Sequence, residues 1–337
     1  MYSGPSVAVF GDPVGLPRLL RVLPAGSVTS MIRASIRPEQ SSVLEKLAES
    51  AGIPLVVQPT EGSAGYLEFL ERMKEESADL FLVDSYSLRL PQELLDIPLR
   101  GAVNVHGALL PQYRGANPTQ WALINDERET GVTIHQMTDT IDAGDIIAQE
   151  RIPIRIDNTW VEIQERLATL TEQMLNNLLP DLLAGSISGI PQDDASAAHF
   201  HRRYRDDGLI DFIDPIIAIH NLIRALVRPH PGAIIRDQDG AETIIDEYRT
   251  ISQVACLKYA NIQQPLLPED FVAVPAEAGA NSSVEFTIPS NPAQRAAIRQ
   301  IDWESRTASI TAPPGSPRAR EVLAEFASLE LGLRIRK

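Results

Sequence analysis

A single cysteine, Cys256, occurs in the 337 residues. Neither an internal disulfide nor a cysteine-built metal site can form from one thiol, which fits a reducing compartment. Long apolar runs are also missing: the best stretches, residues 78–83 and 179–184, fall far short of the roughly 18 residues that span a bilayer. No basic-then-apolar signal opens the chain. The expectation is a soluble cytoplasmic protein that does not engage membranes. Positive charge is scarce, with 30 basic residues facing 45 acidic ones for a net charge of −15. Gripping a nucleic-acid backbone needs clustered Lys and Arg, so this balance argues against a nucleic-acid partner. Only Lys46, Lys74, Lys258 and Lys337 are lysines, and the remaining basic residues are arginine. That bias has two readings, a codon preference or guanidinium forks for a small anionic ligand. What is present, 44% hydrophobic and 22% charged residues, suffices for a sizeable core in one large or two ordinary domains.

The first half alternates strand and helix patterns. Residues 6–10 form a β-branched run closed by Gly11, and Leu16, Leu19, Leu20 and Leu23 follow at helical spacing. The same reading gives strands at 28–32, 53–57 and 79–83, with helices at 39–51 and 64–76. Four strands with intervening helices predict an α/β fold, a Rossmann-like, mostly parallel twisted sheet covered on both faces, with function at the carboxyl ends of the strands. A short helix near 91–95, a strand at 101–105, a strand pair at 130–137 and 146–154, and a long helix at 159–183 complete this part. Residues 184–205 mix Gly, Ser, Pro and Asp with basic residues and read as an interdomain connection. The domain reading is therefore 1–189 for a catalytic domain, 190–207 for a linker and 208–337 for a smaller α+β, β-rich domain. In the last of these, 214–226 looks helical, 232–248 looks like a hairpin around Asp239-Gly240, and eight of the 25 prolines crowd between Pro265 and Pro317. Short strands at 284–288 and 309–311 and a helix at 318–331 are expected there, with Phe286 and Trp303 as core aromatics or base-stacking platforms.

The strongest local signal is Asn104-Val105-His106-Gly107-Ala108-Leu109-Leu110-Pro111, followed by Tyr113-Arg114-Gly115 and later by Asp142-Ala143-Gly144-Asp145. Residues i and i+2 of a strand share a face, so Asn104 and His106 can project together from one strand end. An amide can donate to a developing oxyanion, an imidazole can move a proton near neutral pH, and a carboxylate from a neighbouring loop can steady the imidazole. These are parts for acyl transfer to an amine. An N-x-H spacing alone also suits a buried histidine satisfied by a carbonyl.

The longer runs NVHGALLPQYRGANPTQWAL, ETGVTIHQM and DAGDIIAQ resemble the N10-formyltetrahydrofolate-dependent formyltransferase family, specifically over residues 79–155. The resemblance implies a catalytic trio of Asn104, His106 and Asp142, with N10-formyltetrahydrofolate as formyl donor and no metal. It also implies folate contacts from Leu88, Arg89 and Leu90, from Thr138, Asp139, Thr140 and Ile141, and from Ala108, Leu109, Leu110 and Pro111, where Ala108 replaces the family's serine. Residues 202–211, 221–226 and 229–233 resemble the segments joining the two domains of the longer members, which excludes the short glycinamide ribonucleotide branch. A homodimer is a family-level expectation.

The acceptor remains to be weighed. The methionyl-tRNA branch carries a basic insertion after the second strand, where this chain has only Arg33, Arg37 and Lys46 among Ser, Ile and Glu. Residues 208–337 hold 13 Lys and Arg against 16 Asp and Glu. A dTDP- or UDP-linked amino sugar asks for two or three donors, and Arg202, Arg203, Arg205, Arg224 and Arg228 are candidates, equally readable as junction salt bridges. The leading reading is transfer to an amino sugar, with methionyl-tRNA as the alternative. A non-enzymatic Rossmann-like nucleotide-binding module ranks lower: 11–15 (GDPVG) lacks the G-x-G-x-x-G pattern, and Pro13 removes an N–H. His199 and His201 are the closest histidine pair, without a zinc motif around them.

Overall fold

The computed structural model describes residues 2–155, 158–211, 214, 216–236, 242–245, 297–302, 307–311 and 334–335. It contains two compact units, one of Met1–Thr119, Glu129–Pro153 and Gln164–Arg202, the other of Gln120–Arg128, Ile154–Ile163 and Arg203–Lys337.

The first unit is organised by seven strands: β1 (Val7–Gly11), β2 (Val28–Ala34), β3 (Leu55–Gln58), β4 (Leu80–Asp84), β5 (Ala102–His106), and, after a two-residue strand β6 (Arg114–Gly115) that lies outside the sheet, β7 (Glu129–Gln136) and β8 (Ile146–Pro153). Their order is β3-β2-β1-β4-β5-β7-β8, parallel from β3 to β5 and antiparallel from β5 to β8. The Rossmann-like expectation holds. Every residue of β1 and β4 is buried, as two-sided burial of central parallel strands requires, whereas the last strand β8 is half-exposed and carries Glu150 and Arg151 outward.

Helices α1 (Gly15–Val22), α2 (Ser41–Ala51) and α3 (Tyr66–Glu76) are the crossovers. In α3, Tyr66, Phe69, Leu70 and Met73 follow the i, i+3, i+4, i+7 rule and are all buried, in one cluster with Ala8, Phe10, Ile32, Phe81 and Val83. Val7, Val9, Leu80 and Leu82 point to the other face and are equally buried, so the sheet is covered on both sides. Expected element ends are off by one or two residues; α2, for example, starts after a separate 3-10 turn at Pro38–Gln40. Helix α4 (Gln92–Leu95) occurs as expected, but α5 (Pro118–Ile124) does not appear in the sequence reading. Its proline sits at the first helical position, where a missing N–H costs nothing, so a residue that looks like a breaker is a starter.

The long helix α6 is Trp160–Ala184. Thr159 and Glu162 cap it reciprocally: the Thr159 N–H donates to Glu162 Oε2 at 2.7 Å and the Glu162 N–H to Thr159 Oγ1 at 3.5 Å. Beyond it, β9 (His199–Phe200) pairs in parallel with β6.

In the second unit, α7 (Ile216–Ala225) buries Ile219 and Ile223. Strands β10 (Ala233–Arg236) and β11 (Glu242–Ile245) form the expected antiparallel hairpin, with its Asp239-Gly240 turn outside the described residues. Strands β12 (Ala297–Asp302), β13 (Thr307–Thr311) and β14 (Arg334–Ile335) make a small sheet that includes the strand expected at 309–311. Cys256, Phe286, Trp303, the strand at 284–288 and the helix at 318–331 lie outside the described residues.

Arg224 is almost fully buried, with its Nε donating to Asn221 Oδ1 and its Nη1 to the carbonyls of Arg155 and Asn158. A guanidinium holding backbone carbonyls is a structural clamp, so Arg224 leaves the set of phosphate candidates. Arg205 pairs with Glu242, the residue that also binds Arg236 at 2.8 Å.

Candidate active site

Asn104 and His106 project from the carboxyl end of β5, the strand where parallel pairing gives way to antiparallel. The register of β7 places His135 opposite Asn104 and Thr133 opposite His106. Cross-strand partners share a face, so His135 joins the pair. The loop between β7 and β8 brings Asp142 over them.

Proton positions follow from the acceptors. His106 Nε2 lies 2.8 Å from the Tyr113 carbonyl, which can only accept, so Nε2 carries the hydrogen. The other nitrogen, Nδ1, faces Asp142 Oδ2 at 3.6 Å, beyond a hydrogen bond. His135 Nδ1 likewise donates to the Gln136 carbonyl at 2.8 Å, leaving Nε2 to accept from the Asn104 amide at 3.1 Å. One amide N–H of Asn104 is thereby fixed and the amide plane oriented.

Burial pushes the His106 pKa below its ordinary 6.5, against the opposing pull of Asp142, while the proximity of His135 lowers it further. The imidazole is therefore neutral at pH 7, with its Nδ1 lone pair available. For Asp142 burial acts upward, but the two neighbouring imidazoles, His106 first, and the Gly115 N–H together hold the carboxyl well below the usual carboxylate range. The Gly115 N–H donates to Asp142 Oδ2 at 2.8 Å. Gly115 has φ +106°, and a Cβ there would sit 2.2 Å from the Phe200 carbonyl oxygen, so only glycine can present this N–H. Gly144, two residues past Asp142, packs so closely on the Gln136 carbonyl that a Cβ would lie 1.9 Å from it. Asp142 itself is in the left-handed region at φ +53°, which aspartate tolerates better than most residues.

The expected folate-contacting segments come together in the same unit. Arg89 Nε donates to the Asp139 carbonyl at 3.2 Å, joining the Leu88–Leu90 turn to the Thr138–Ile141 loop. Gln58 Nε2 donates to the Arg89 carbonyl at 3.0 Å, and the Gln58 Oε1 accepts from Tyr86. The Leu90 side chain is buried in the core cluster, while Thr138, Asp139, Thr140 and Ile141 are exposed. Ala108 and Leu110 are buried and Leu109 is half-buried. Thr133 Oγ1 donates to the Ala108 carbonyl at 2.6 Å, and Gln149 Nε2 donates to the Leu110 carbonyl at 2.8 Å, tethering the 108–111 segment to β7 and β8.

His135, Arg114 and Gln192 are polar members of this cluster that the sequence reading passes over. His135 was reachable only through the β5–β7 register; the other two belong to long-range contacts treated below. Among the described residues, no group of three His, Cys, Asp or Glu side chains could hold a metal ion, and no helix is long and apolar enough to cross a membrane.

The segment after β1 speaks against a dinucleotide loop. Asp12 Oδ1 accepts from the Val14 and Gly15 N–H groups at 2.8 and 2.9 Å, so the donors at the start of α1 already hold a carboxylate.

An oriented amide and a neutral imidazole at the end of a central strand, with a shielded carboxylate from a neighbouring loop, are parts suited to acyl transfer. The sequence profile of the formyl transferase family matches residues 7–179, just over half of the chain, and the chain belongs to that family. Its fold is similar to that of a sugar N-formyltransferase from a Shewanella species (21% identity, TM-score 0.59, covering 72% of this chain and 96% of the other). It is also similar to a 4-N formyltransferase from Francisella tularensis (18% identity, TM-score 0.60, covering 72% and 97%). An N-formyltransferase from Helicobacter canadensis, solved with folinic acid and dTDP-3-aminofucose, matches at 21% identity and a TM-score of 0.50 over 66% and 80% of the two chains. At such identities the likeness is one of fold.

Proposed function

We propose that the protein transfers a formyl group from N10-formyltetrahydrofolate to the amine of a nucleotide-linked amino sugar, with Asn104, His106 and Asp142 as catalytic residues. The observation that carries the chemistry is the fixed tautomer of His106: Nε2–H is committed to the Tyr113 carbonyl, and the Nδ1 lone pair faces the reaction side beside Asp142. As the neutral amine adds to the formyl carbon, the remaining Asn104 amide N–H donates to the oxygen that becomes negative. His106 Nδ1 accepts the proton the amine loses, and Asp142 stabilises the resulting imidazolium. The same proton passes to the departing folate nitrogen, so His106 ends as it began. The Leu88–Leu90 backbone and the Thr138–Ile141 loop would hold the pterin of the donor.

For the acceptor, an amino sugar is favoured by the net charge of −15 and by the commitment of Arg224 to backbone carbonyls. Relatives of the same fold that act on sugars, one of them solved with a dTDP-amino sugar, support the same choice. Methionyl-tRNA is the alternative. As a cytoplasmic homodimer with a catalytic region at 1–189, a join at 190–207 and an accessory region at 208–337, the enzyme would need no partner beyond its two substrates.

The test is turnover with N10-formyltetrahydrofolate and a panel of dTDP- and UDP-amino sugars beside methionyl-tRNA. Formylated sugar and unmodified tRNA are expected. Asn104→Ala and His106→Ala should each retain the native circular dichroism spectrum and lose turnover at least about a hundredfold. Near-native turnover in either variant would sink the catalytic assignment, and formylation of tRNA alone would replace the acceptor.

A further inference from the structure

Residues 190–200 lie across the loop that carries Asp142 and the segment 111–115 that follows β5. Ile190 exchanges two backbone hydrogen bonds of 2.8 Å with Ile146 at the start of β8. Ala198 accepts from the Arg114 N–H at 2.8 Å and donates to the Pro111 carbonyl at 3.2 Å. Phe200 stacks on Tyr113 with ring centroids 4.6 Å apart and planes within 10°.

Between these anchors stands Gln192, whose side chain touches both loops at once. Its Oε1 accepts from Arg114 Nε at 3.1 Å and from Nη2 at 2.8 Å. Its Nε2 donates to the Asp142 carbonyl at 2.8 Å and to the Gly144 carbonyl at 2.7 Å. All four bonds are of good length, and the Arg114 end is buried. A neutral side chain with an acceptor at one corner and two donors at the other is what this position requires. Glutamate lacks the donors, lysine lacks the acceptor, and asparagine is one methylene short.

We infer that Gln192 is a positioning residue for the formyl transfer: by joining the buried Arg114 guanidinium to the backbone of the Asp142 loop, it sets the place of the Asp142 carboxylate above His106. This rests on the reading of Asn104, His106 and Asp142 as the catalytic trio. Asp142 reaches its site through a left-handed backbone conformation, and its carboxylate meets the Gly115 N–H supplied by the Arg114 loop. The gap between the two loops at this point is therefore fixed from above by Gln192 and from below by the Gly115 bond. Without the upper tie the carboxylate can swing away from His106, which weakens stabilisation of the imidazolium and leaves substrate binding largely untouched.

The experiment compares Gln192→Leu, which removes all four bonds at similar volume, and Gln192→Glu, which keeps the acceptor for Arg114 and removes the two donations. Both are assayed for kcat, for KM of each substrate, for the pH dependence of kcat and for Tm, with Asn104→Ala as control. A fall in kcat of at least about tenfold in both variants is expected, with KM within about twofold, as when an interaction made in the transition state is lost. The acid limb of kcat should also move to lower pH. The titratable groups about His106 are Asp142 from the loop and His135 from β7; Asp142 raises the His106 pKa and His135 lowers it, so a carboxylate that moves off lets that pKa fall. A purely structural glutamine would lower Tm and leave kcat per folded molecule and the pH limb in place, and that result overturns the inference. Should Gln192→Leu fail to fold, Gln192→Glu decides alone. If Asn104→Ala is inactive while the Gln192 variants match the native enzyme, only this inference falls; if Asn104→Ala is active, the trio itself does.

Discussion

Two buried polar clusters sit at the carboxyl ends of neighbouring strands of one sheet, and they are built on opposite plans. At the ends of β1 and β4, where the strand order reverses and open α/β sheets commonly take their ligands, Arg18 Nη1 lies 2.9 Å from Asp84 Oδ2. Ser85 closes on the other Asp84 oxygen at 3.0 Å, and Asp12 is turned onto the start of α1. Burial raises the pKa of both aspartates, with Arg18 pulling the other way. One strand further along, Asp142 stays 3.6 Å from His106 and 3.6 Å from His135. Each is held by backbone groups or by a neutral amide rather than by its charged neighbour. The first cluster has its charges satisfied by each other and holds the sheet end together. In the second no carboxylate–imidazole pair closes to hydrogen-bond distance, the arrangement that the proposed chemistry asks for. On the proposed reading, the two clusters differ in the partners of their polar groups rather than in burial.

The contrast can be broken most forcefully at Asp142. Asp142→Asn should reduce turnover by about 10²–10⁴-fold with little change in Tm, because an amide keeps the Gly115 contact but cannot stabilise an imidazolium. A drop in Tm with turnover intact would make Asp142 the structural member. Arg18→Leu should do the reverse, costing about 3–5 kcal/mol of stability in denaturant titration by leaving Asp84 buried and unpaired, with kcat of the folded fraction unchanged. Loss of kcat in a stable Arg18→Leu protein would erase the distinction between the clusters.

The smallest effect is expected in the second unit, at His230, whose pKa falls to about 4, through burial first and then the charge of Arg203. The unfolded chain takes up this proton near the ordinary 6.5 and the folded one only near 4. Stability is therefore full above about 6.5, declines as pH falls through that window, and levels below it. Trp160 lies edge-on to the ring at a centroid distance of 4.2 Å, a contact an aromatic replacement can keep. His230→Phe should flatten the fall of Tm between pH 6.5 and 4, and an unchanged slope would assign that fall to other groups.

The strands of the first unit were legible because two-sided burial leaves continuous apolar runs such as those of β1 and β4, and α3 because its buried face repeats at helical spacing. Asn104 and His106 share a strand face by their spacing, but it was the resemblance of the surrounding runs to the formyltransferase family that singled them out. His135 was not, since its place depends on which residue of β7 faces Asn104, and nothing in either strand read alone states the register. Gln192 stands fifty residues from Asp142 and acts through backbone carbonyls, which leave no trace in residue type. Arg18 and Asp84 are hidden in the same way, a pair made by packing a helix on a strand. The one misleading local sign was Pro118, which opens a helix.

The strap formed by residues 190–200 also fixes how much chain the chemistry requires. The family-matched region closes at Leu179, and the seven-stranded sheet is complete by Pro153, yet the Asp142 loop is also tied by Gln192, which lies beyond both. The transplantable unit is therefore longer than the recognisable one. A graft, a chimera or a minimal design cut at the edge of the family profile would inherit Asn104, His106 and Asp142 and omit the glutamine inferred to position Asp142.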